Sequence, residues 1–346
     1  MIKLTVLMGA LACLGCSAPP QAQSGASQGA GVVMATAIEA VRPGGPHPVG
    51  VAEGPALASG ATTRLYYPAA DASGEVRAEG PSPDHRADLA RRFGPDAAGI
   101  LAQAVTAARR GAAPATGRFP LVVFQPGASM GGGDYRLLIE DVASRGYVVL
   151  VLNPEGSPPV SGGRYRQAAA ELVEAVALAR SGAVAGIEGD RVAVIGHSLG
   201  GSAAVMALAD LPGAVAVNLD GDYNGPTRIP ADGRVLYLLG RTEGEADRSR
   251  DRRARVWREA AQGASDAVAL QVPDVRHFDF ADAALIQDAV PEDRRRTRFG
   301  AIGGAKAHAL TTDLVAGFLD SRLKGQADAW SAARARHPEA AAPTTW

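Results

Sequence analysis

A serine enclosed by glycines is the feature that most constrains the fold of this chain. Residues 192–195 (VAVI) form a short apolar run, and the pentapeptide GHSLG at 196–200 leads from it into small residues up to position 209. An apolar strand that enters a helix through G-x-S-x-G is typical of a nucleophile elbow, a sharp turn that exposes the serine hydroxyl. Glycine suits both flanking positions because a Cβ there would collide with the adjoining strand or helix. The pattern predicts Ser198 as a nucleophile, against the alternative of an ordinary turn with an incidental serine.

The remaining apolar runs alternate with helical patterns, which is typical of an α/β protein. Helical spacing of apolar residues covers 165–180 and 310–323. Continuous apolar runs of strand length lie between such segments, at 119–124, 147–152, 214–219, 235–239 and 267–272. An alternating run at 62–68 (TTRLYYP) predicts an early strand in an antiparallel hairpin. We therefore expect a mostly parallel central sheet with helices on both faces.

The N-terminal segment has the pattern of an export signal. Lys3 precedes an apolar run at 4–14, which is too short to span a bilayer as a helix. The tripeptide LGC that ends at Cys16 resembles a bacterial lipobox, although Cys13 occupies the usual leucine position. We expect a signal peptide at 1–16 and membrane attachment through a lipid on Cys16. The protein would then be a periplasmic or outer-membrane lipoprotein, with plain secretion as the alternative.

Composition divides the rest of the chain into three parts. Residues 17–40 are small and polar, as in a flexible tether, and residues 326–346 read as a polar C-terminal tail. Between them, residues 41–325 carry the strand and helix patterns of one α/β domain. Within it, residues 82–113 predict a helical insertion that either caps a substrate pocket or decorates the surface. The formal net charge of -1 argues against a nucleic-acid partner.

At such an elbow the chain order is serine, acid and then histidine, so the base must follow Ser198. Three histidines do so. A serine hydroxyl becomes an effective nucleophile when a histidine takes its proton and an acid holds that histidine. His277 follows the last predicted strand, which places it at the edge of the sheet that presents Ser198. His308 is expected to be a surface or capping residue at the start of the final helix, and His337 lies in the polar tail. His277 is the predicted general base.

Two strand ends offer an acid to orient His277. Asp220 follows the strand after the nucleophile strand, whereas Glu243, Glu245 and Asp247 follow the next one. Position alone leaves both choices open.

A glycine-rich loop follows the apolar strand at 119–124. Behind a nucleophile elbow, a backbone N–H of such a loop and the N–H after the nucleophile form the oxyanion hole. Ala128 and Leu199 are the predicted donors. This chemistry requires neither a metal ion nor an organic cofactor, and we expect none.

Seven short segments occur in an order that resembles the platelet-activating-factor acetylhydrolase family of α/β hydrolases, which is similar to bacterial cutinase-like esterases. They span about positions 45 to 323 and read GPHPVG, RLYYPA, FPLVVF with its glycine loop, SRGYVVLVLNPEGS, GHSLGG, VNLDGD and HFDFAD. The resemblance implies an α/β-hydrolase fold. It also implies Asp220, in VNLDGD, as the acid, because the family's acid follows the strand after the nucleophile. The chain departs from the family at positions 125–127 (QPG), where Ser-His-Gly is usual.

The resemblance further implies a serine ester hydrolase that acts on phospholipid or other lipid esters with short acyl groups. Polyesters and other carboxylic esters are the close alternatives. A hypothesis of another class is a surface lipoprotein that keeps the fold as a binding module without turnover. A serine, an acid and a histidine in this order favour the enzyme, because binding alone requires none of the three.

Overall fold

The computed structural model describes residues 42–78, 82–95, 101, 105–154, 160–221, 228–241, 255–289 and 299–342. The predicted signal peptide, the lipidation site Cys16 and the predicted tether lie outside these residues. The alternative acids Glu243, Glu245 and Asp247 lie outside them as well. The interpretations of those segments stay predictions.

Ten strands of the described chain form one sheet. They are β1 Val49–Glu53, β2 Thr62–Pro68, β3 Glu75–Ala78, β4 Val105–Arg110, β5 Phe119–Gln125, β6 Val148–Asn153, β7 Ile187–His197, β8 Val215–Leu219, β9 Arg234–Arg241 and β10 Asp266–Pro273. Their order across the sheet is β10-β9-β8-β7-β5-β6-β2-β1-β4-β3, and the strands from β10 to β6 are parallel. β2 runs antiparallel to both β1 and β6. The predicted parallel sheet and the predicted hairpin are confirmed.

Helices cover both faces of this sheet. The α-helices whose bounds lie within the described residues are α1 Pro83–Phe93, α2 Arg136–Ser144, α3 Gly162–Leu178, α4 Leu199–Ala207, α5 Gly304–Leu323 and α6 Ala327–Arg336. Side chains of β5 alternate between two cores. Val122 and Phe124 pack with α2 and α5, whereas Leu121 and Val123 pack with α3 and α4. The central strands are apolar along their length because both faces are covered.

The predicted helical insertion at 82–113 is wrong in its second half. Helix α1 occupies its first part, but Val105–Arg110 is strand β4, which pairs parallel with β1 and antiparallel with β3. Thr106 and Ala108 are buried while Ala107 between them is exposed, which is the two-residue period of a half-buried strand. Alanine and arginine favour helices, and pairing with the edge of β1 overrides that preference here.

The predicted C-terminal tail at 326–346 is wrong as well, because most of it packs on the domain. Helix α6 lies against α5 where a Cβ on Gly317 would be 2.5 Å from the Cβ of Ala333. Beyond α6, Ala341 and Gln271 of β10 form a bridge with hydrogen bonds in both directions. These contacts are made by small residues and by backbone, so the polar composition of the segment does not reveal them.

His308 is buried, and its predicted place at the surface is wrong. It lies in the first turns of α5, and its Nε2 donates to the carbonyl oxygen of Ala281 at 3.2 Å. The same nitrogen lies 3.9 Å from the carboxylate of Asp282, which forms a buried ion pair with Arg136 of α2 at 3.1 Å. Burial lowers the pKa of His308. This polar group joins α5 to α2, so His308 has a structural partner apart from Ser198.

Burial of Glu140 in α2 makes the stability of the protein depend on pH. Its Oε2 accepts the N–H of Ala107 in β4 at 2.8 Å, and burial raises the pKa of Glu140 to about 7. A carboxyl group whose pKa is raised on folding contributes stability that is complete below its unfolded pKa and is lost as the pH rises through 7.

We expect Glu140→Gln to stabilise the protein at pH 8 relative to its effect at pH 5. The difference should be roughly 2–3 kcal/mol, since a tenfold change in proton affinity corresponds to about 1.4 kcal/mol. Urea unfolding at both pH values measures it. Glu53→Gln is the control, because the Glu53 side chain is 65% exposed and its replacement should have the same small effect at both pH values. An equal effect of Glu140→Gln at pH 5 and pH 8 would contradict the prediction.

Candidate active site

The predicted catalytic residues emerge at one edge of the sheet. β7 ends at His197 and β8 ends at Leu219, and these two residues are paired in the parallel register. Ser198 and Asp220, the next residues, therefore begin side by side. β10 lies two strands beyond β8, and the turn after it delivers His277 to the same edge.

The turn at Ser198 is strained and packed backbone against backbone. Ser198 has φ 55° and ψ −120°, a conformation that residues with a side chain rarely adopt. A Cβ on Gly196 would lie 2.2 Å from the Gly200 carbonyl group, and a Cβ on Gly200 would lie 2.1 Å from the carbonyl oxygen of Gln125. The N–H of Ser198 donates to Leu219 at 2.9 Å. These contacts hold the serine at the sheet edge, where it is partly exposed.

His277 is held by Asp220. The Nδ1 of His277 and the Oδ2 of Asp220 are 2.7 Å apart, and the other carboxylate oxygen accepts the N–H of Gly240 at 3.0 Å. The carboxylate is 6% exposed, whereas the imidazole is 40% exposed. Because a carboxylate accepts hydrogen bonds, this network assigns the hydrogen to Nδ1 and leaves Nε2 free to take a proton.

Among the described residues, no hydrogen bond joins the side chains of Ser198 and His277. The ring of His197, the residue before the serine, lies with its centroid 4.5 Å from that of His277. Catalytic hydrogen bonds are often long in the absence of substrate and tighten in the reacting complex. The bond that is already formed is the one between the imidazole and the acid.

The N–H groups of Ala128 and Leu199 are both unpaired among the described residues. Leu199 is the first residue of α4, whose early N–H groups have no acceptor inside the helix. Ala128 lies in the glycine-rich loop (residues 126–133) that follows β5, and a Cβ on Gly200 would be 2.7 Å from the carbonyl oxygen of Pro126 in that loop. Two free donors on adjacent segments can stabilise a developing oxyanion, and the positive end of the α4 dipole adds to them.

Asp279 lies two residues after His277, and no sequence motif predicts a role for it. Its Oδ2 accepts the N–H groups of Arg276 and Gly300, each at 2.7 Å. Burial raises the pKa of Asp279 to about 7. The carboxyl group fixes the short 3-10 helix His277–Phe280 to the segment before α5, so it supports the backbone that carries His277. The segment HFDFAD holds it in the sequence, but nothing in the spacing shows which backbone groups it accepts.

Tyr135 and His197 also lie outside the set of residues that the sequence predicts for the site. Their rings are fully buried directly beneath the site, and Tyr135 Oη lies 2.7 Å from His197 Nδ1. The position of His197 beside the predicted nucleophile was the one available signal for it. Tyr135 had none, because its partner is 62 residues away in the chain.

The described residues contain no group of three or more His, Cys, Asp or Glu side chains arranged to hold a metal ion. Within the same residues, every helix is too short or too polar to cross a bilayer.

No protein-family model matches this chain, and no curated protein matches its sequence. Among solved structures it is similar to a ferulic acid esterase from Streptomyces cinnamoneus, determined at 2.4 Å resolution. The TM-score is 0.66 at 26% sequence identity, and the match covers 82% of this chain and 92% of the esterase chain. The fold is that of the α/β hydrolases. The predicted fold class is therefore confirmed. The likeness also supports a carboxylic-ester hydrolase in general and leaves the subfamily open.

The strain at the elbow can be tested through stability. Ser198→Gly should unfold at higher urea concentration than Ser198→Ala, because glycine adopts positive φ without the strain that a Cβ brings. We expect a difference of about 1 kcal/mol in the free energy of unfolding.

Ser202, one turn later inside α4, is the matched control. There the order should reverse, since glycine in a helix interior costs about 1 kcal/mol relative to alanine. If Ser198→Gly were the less stable of the two Ser198 variants, the turn would not be strained in solution.

Proposed function

We propose that this protein is a serine carboxylic-ester hydrolase that works through a Ser198-His277-Asp220 triad and an acyl-enzyme. The observation that carries the proposal is the 2.7 Å contact between His277 and the buried carboxylate of Asp220, at the sheet edge that presents Ser198. A buried carboxylate on Nδ1 selects the tautomer whose Nε2 is a base.

The proposed reaction has two halves. Ser198 Oγ attacks the carbonyl carbon of the ester and transfers its proton to His277 Nε2, while the N–H groups of Ala128 and Leu199 bind the oxyanion. Collapse of the tetrahedral intermediate breaks the bond to the alcohol, which leaves with the proton from His277. A water molecule then attacks the acyl-enzyme and gives a proton to the same nitrogen. When the second tetrahedral intermediate collapses, His277 returns that proton to Ser198 Oγ and the acid is released. Asp220 stabilises the imidazolium ion that forms in each half.

Geometry supports Asp220 over the acids that follow β9. Nδ1 of an imidazole carries one hydrogen, and Asp220 already accepts it. The second oxygen of Asp220 is also occupied, by Gly240, so the carboxylate is held from two sides. Another acid could orient His277 only if it displaced Asp220 from Nδ1.

For the substrate we propose esters with a short acyl group, including lipid esters, on the basis of the resemblance to the platelet-activating-factor acetylhydrolases. The similar solved structure adds a second candidate, because its name assigns it ferulic acid esters. Polyesters remain the cutinase-like alternative, and a non-catalytic binding module is the alternative of another class. We further propose that the protein is exported and attached to a membrane through Cys16.

Replacement of the acid should reduce turnover without unfolding the protein. We expect Asp220→Asn to lower kcat for p-nitrophenyl acetate by about 10⁴-fold, because the amide no longer selects the reactive tautomer of His277. Asp313→Asn is the control, since Asp313 pairs with Arg336 and His337 away from the site. Retained activity in Asp220→Asn together with its loss in Glu245→Gln would place the acid after β9.

A panel of esters separates the candidate substrates. The panel contains p-nitrophenyl esters from acetyl to long acyl, a short-acyl phospholipid and methyl ferulate. We expect the highest kcat/KM on the shortest acyl groups and complete loss of activity in Ser198→Ala. Preference for methyl ferulate would instead favour the hydroxycinnamate ester. A folded wild-type protein that hydrolyses none of them, and that a fluorophosphonate does not label at Ser198, would favour the binding module.

A further inference from the structure

We propose that Tyr135 and His197 are positioning residues that link the glycine-rich loop to the turn that carries His277, and so set the distance between the oxyanion donor and the base. This inference rests on the proposed ester hydrolysis. Neither side chain would touch the substrate. Tyr135 would act through the backbone of Gly127, and His197 through the backbone of His277.

The two side chains form a buried chain of hydrogen bonds between the two loops. The N–H of Gly127 donates to Tyr135 Oη at 3.1 Å, and Tyr135 Oη lies 2.7 Å from His197 Nδ1. His197 Nε2 donates to the carbonyl oxygen of His277 at 2.8 Å. Both rings are fully buried, so water does not compete for these bonds.

The direction of each bond follows from the chemistry of its ends. A carbonyl oxygen accepts, so His197 Nε2 carries a hydrogen, and Nδ1 of the neutral ring is then an acceptor. Burial holds the pKa of Tyr135 well above its usual value, so its hydroxyl keeps its proton. That proton points to His197, because the nearby Met130 sulfur, at 2.9 Å from the hydroxyl, is a weak acceptor.

At one end the bridge holds the N–H of Gly127, the residue before the predicted oxyanion donor, while Met130 holds the carbonyl of Gly127. The carbonyl of Gly127 and the N–H of Ala128 belong to one planar trans peptide group, so holding the carbonyl fixes the direction of that N–H. Met130 N–H donates to the Gly127 carbonyl at 3.2 Å, and Tyr135 holds the Gly127 N–H on the other side. The loop rests directly on the bridge, since a Cβ on Gly127 would lie 3.2 Å from both the Tyr135 hydroxyl and His197 Nδ1.

At the other end the bridge holds the backbone of the base. Asp220 fixes the imidazole of His277, and His197 fixes the carbonyl of the same residue. The bridge also passes beside the nucleophile, because His197 precedes Ser198 at the end of β7. One chain of buried bonds thereby joins the loop after β5, the end of β7 and the turn after β10.

Tyr135→Phe should therefore lose catalytic activity. Phenylalanine keeps the ring contact with Phe124, whose centroid lies 4.9 Å from that of Tyr135, and removes only the hydroxyl. We expect kcat to fall roughly 10- to 100-fold, the loss typical of a small misplacement of catalytic groups. KM should change little, because the substrate does not contact Tyr135.

A trifluoromethyl ketone provides a readout that separates positioning from mere stability. Ser198 Oγ bonds to its carbonyl carbon, the hydroxyl proton passes to His277, and the carbonyl oxygen becomes an oxyanion. Its affinity should fall in Tyr135→Phe by the same factor as kcat/KM, because both depend on the oxyanion donors.

Tyr147→Phe is the matched control. Tyr147 is also fully buried, and its hydroxyl donates to Asp320 at 2.8 Å in the core that faces α5. Its loss should lower stability and leave both kcat per folded molecule and the affinity for the ketone unchanged. A Tyr135→Phe enzyme that behaves in this way would overturn the positioning role, and so would an equal catalytic loss in both variants.

His197→Gln provides the second route and replaces Tyr135→Phe if that variant does not fold. Its amide can still donate toward the His277 carbonyl but cannot accept from Tyr135 at the position of Nδ1. The double variant should lose no more activity than either single variant, because each breaks the same chain. Additive losses would overturn the single-chain account. If the wild type neither hydrolyses any ester nor reacts with a fluorophosphonate at Ser198, the proposed function itself fails, and the positioning role with it.

Discussion

The structure depends on direct contact between the backbone at the start of α4 and the backbone of the strands beside it. Gly200 lies against the last residue of β5, and a Cβ on Gly221 would be 2.4 Å from the carbonyl oxygen of Ser198. Each contact leaves no space for a side chain. The close approach brings the free N–H groups of the helix to the loop after β5, and it prevents Ser198 from relaxing out of its strained conformation.

The parallel register of the sheet places the candidate acid beside that elbow. His197 and Leu219 are paired, so the residues that follow them begin at the same height on the sheet edge. The carboxylate of Asp220 is nearly buried there, and an unpaired charge in that position would be costly. His277 and the N–H of Gly240 satisfy it, and the same bonds that lower this cost hold the imidazole in place.

Below this edge of the sheet, hydrogen bonds of buried polar side chains hold the loops in place. Asp279 accepts two backbone N–H groups, and Tyr135 and His197 occupy the space between the glycine-rich loop and the turn that carries His277. Apolar side chains pack without strong directional preference, whereas hydrogen bonds impose distances and angles. Loops that leave three different strands are thereby held to one geometry, which apolar packing alone would leave less defined.

The sequence by itself determined the alternation of strands and helices from β5 to α5, the elbow at Ser198 and the candidate base His277, because local spacing and flanking glycines carry that information. It left open the choice between Asp220 and the acids after β9, and it misplaced β4, α6 and His308. Only the tertiary structure decided where β4, α6 and His308 lie, and the proposal that Asp220 is the acid draws its support from the contact with His277. The pairing of β4 with β1, the packing of α6 on Gly317 and the burial of His308 beside Asp282 all join residues that are distant in the chain. Neither propensity nor periodicity encodes such pairings, since each depends on which surfaces the rest of the fold leaves uncovered.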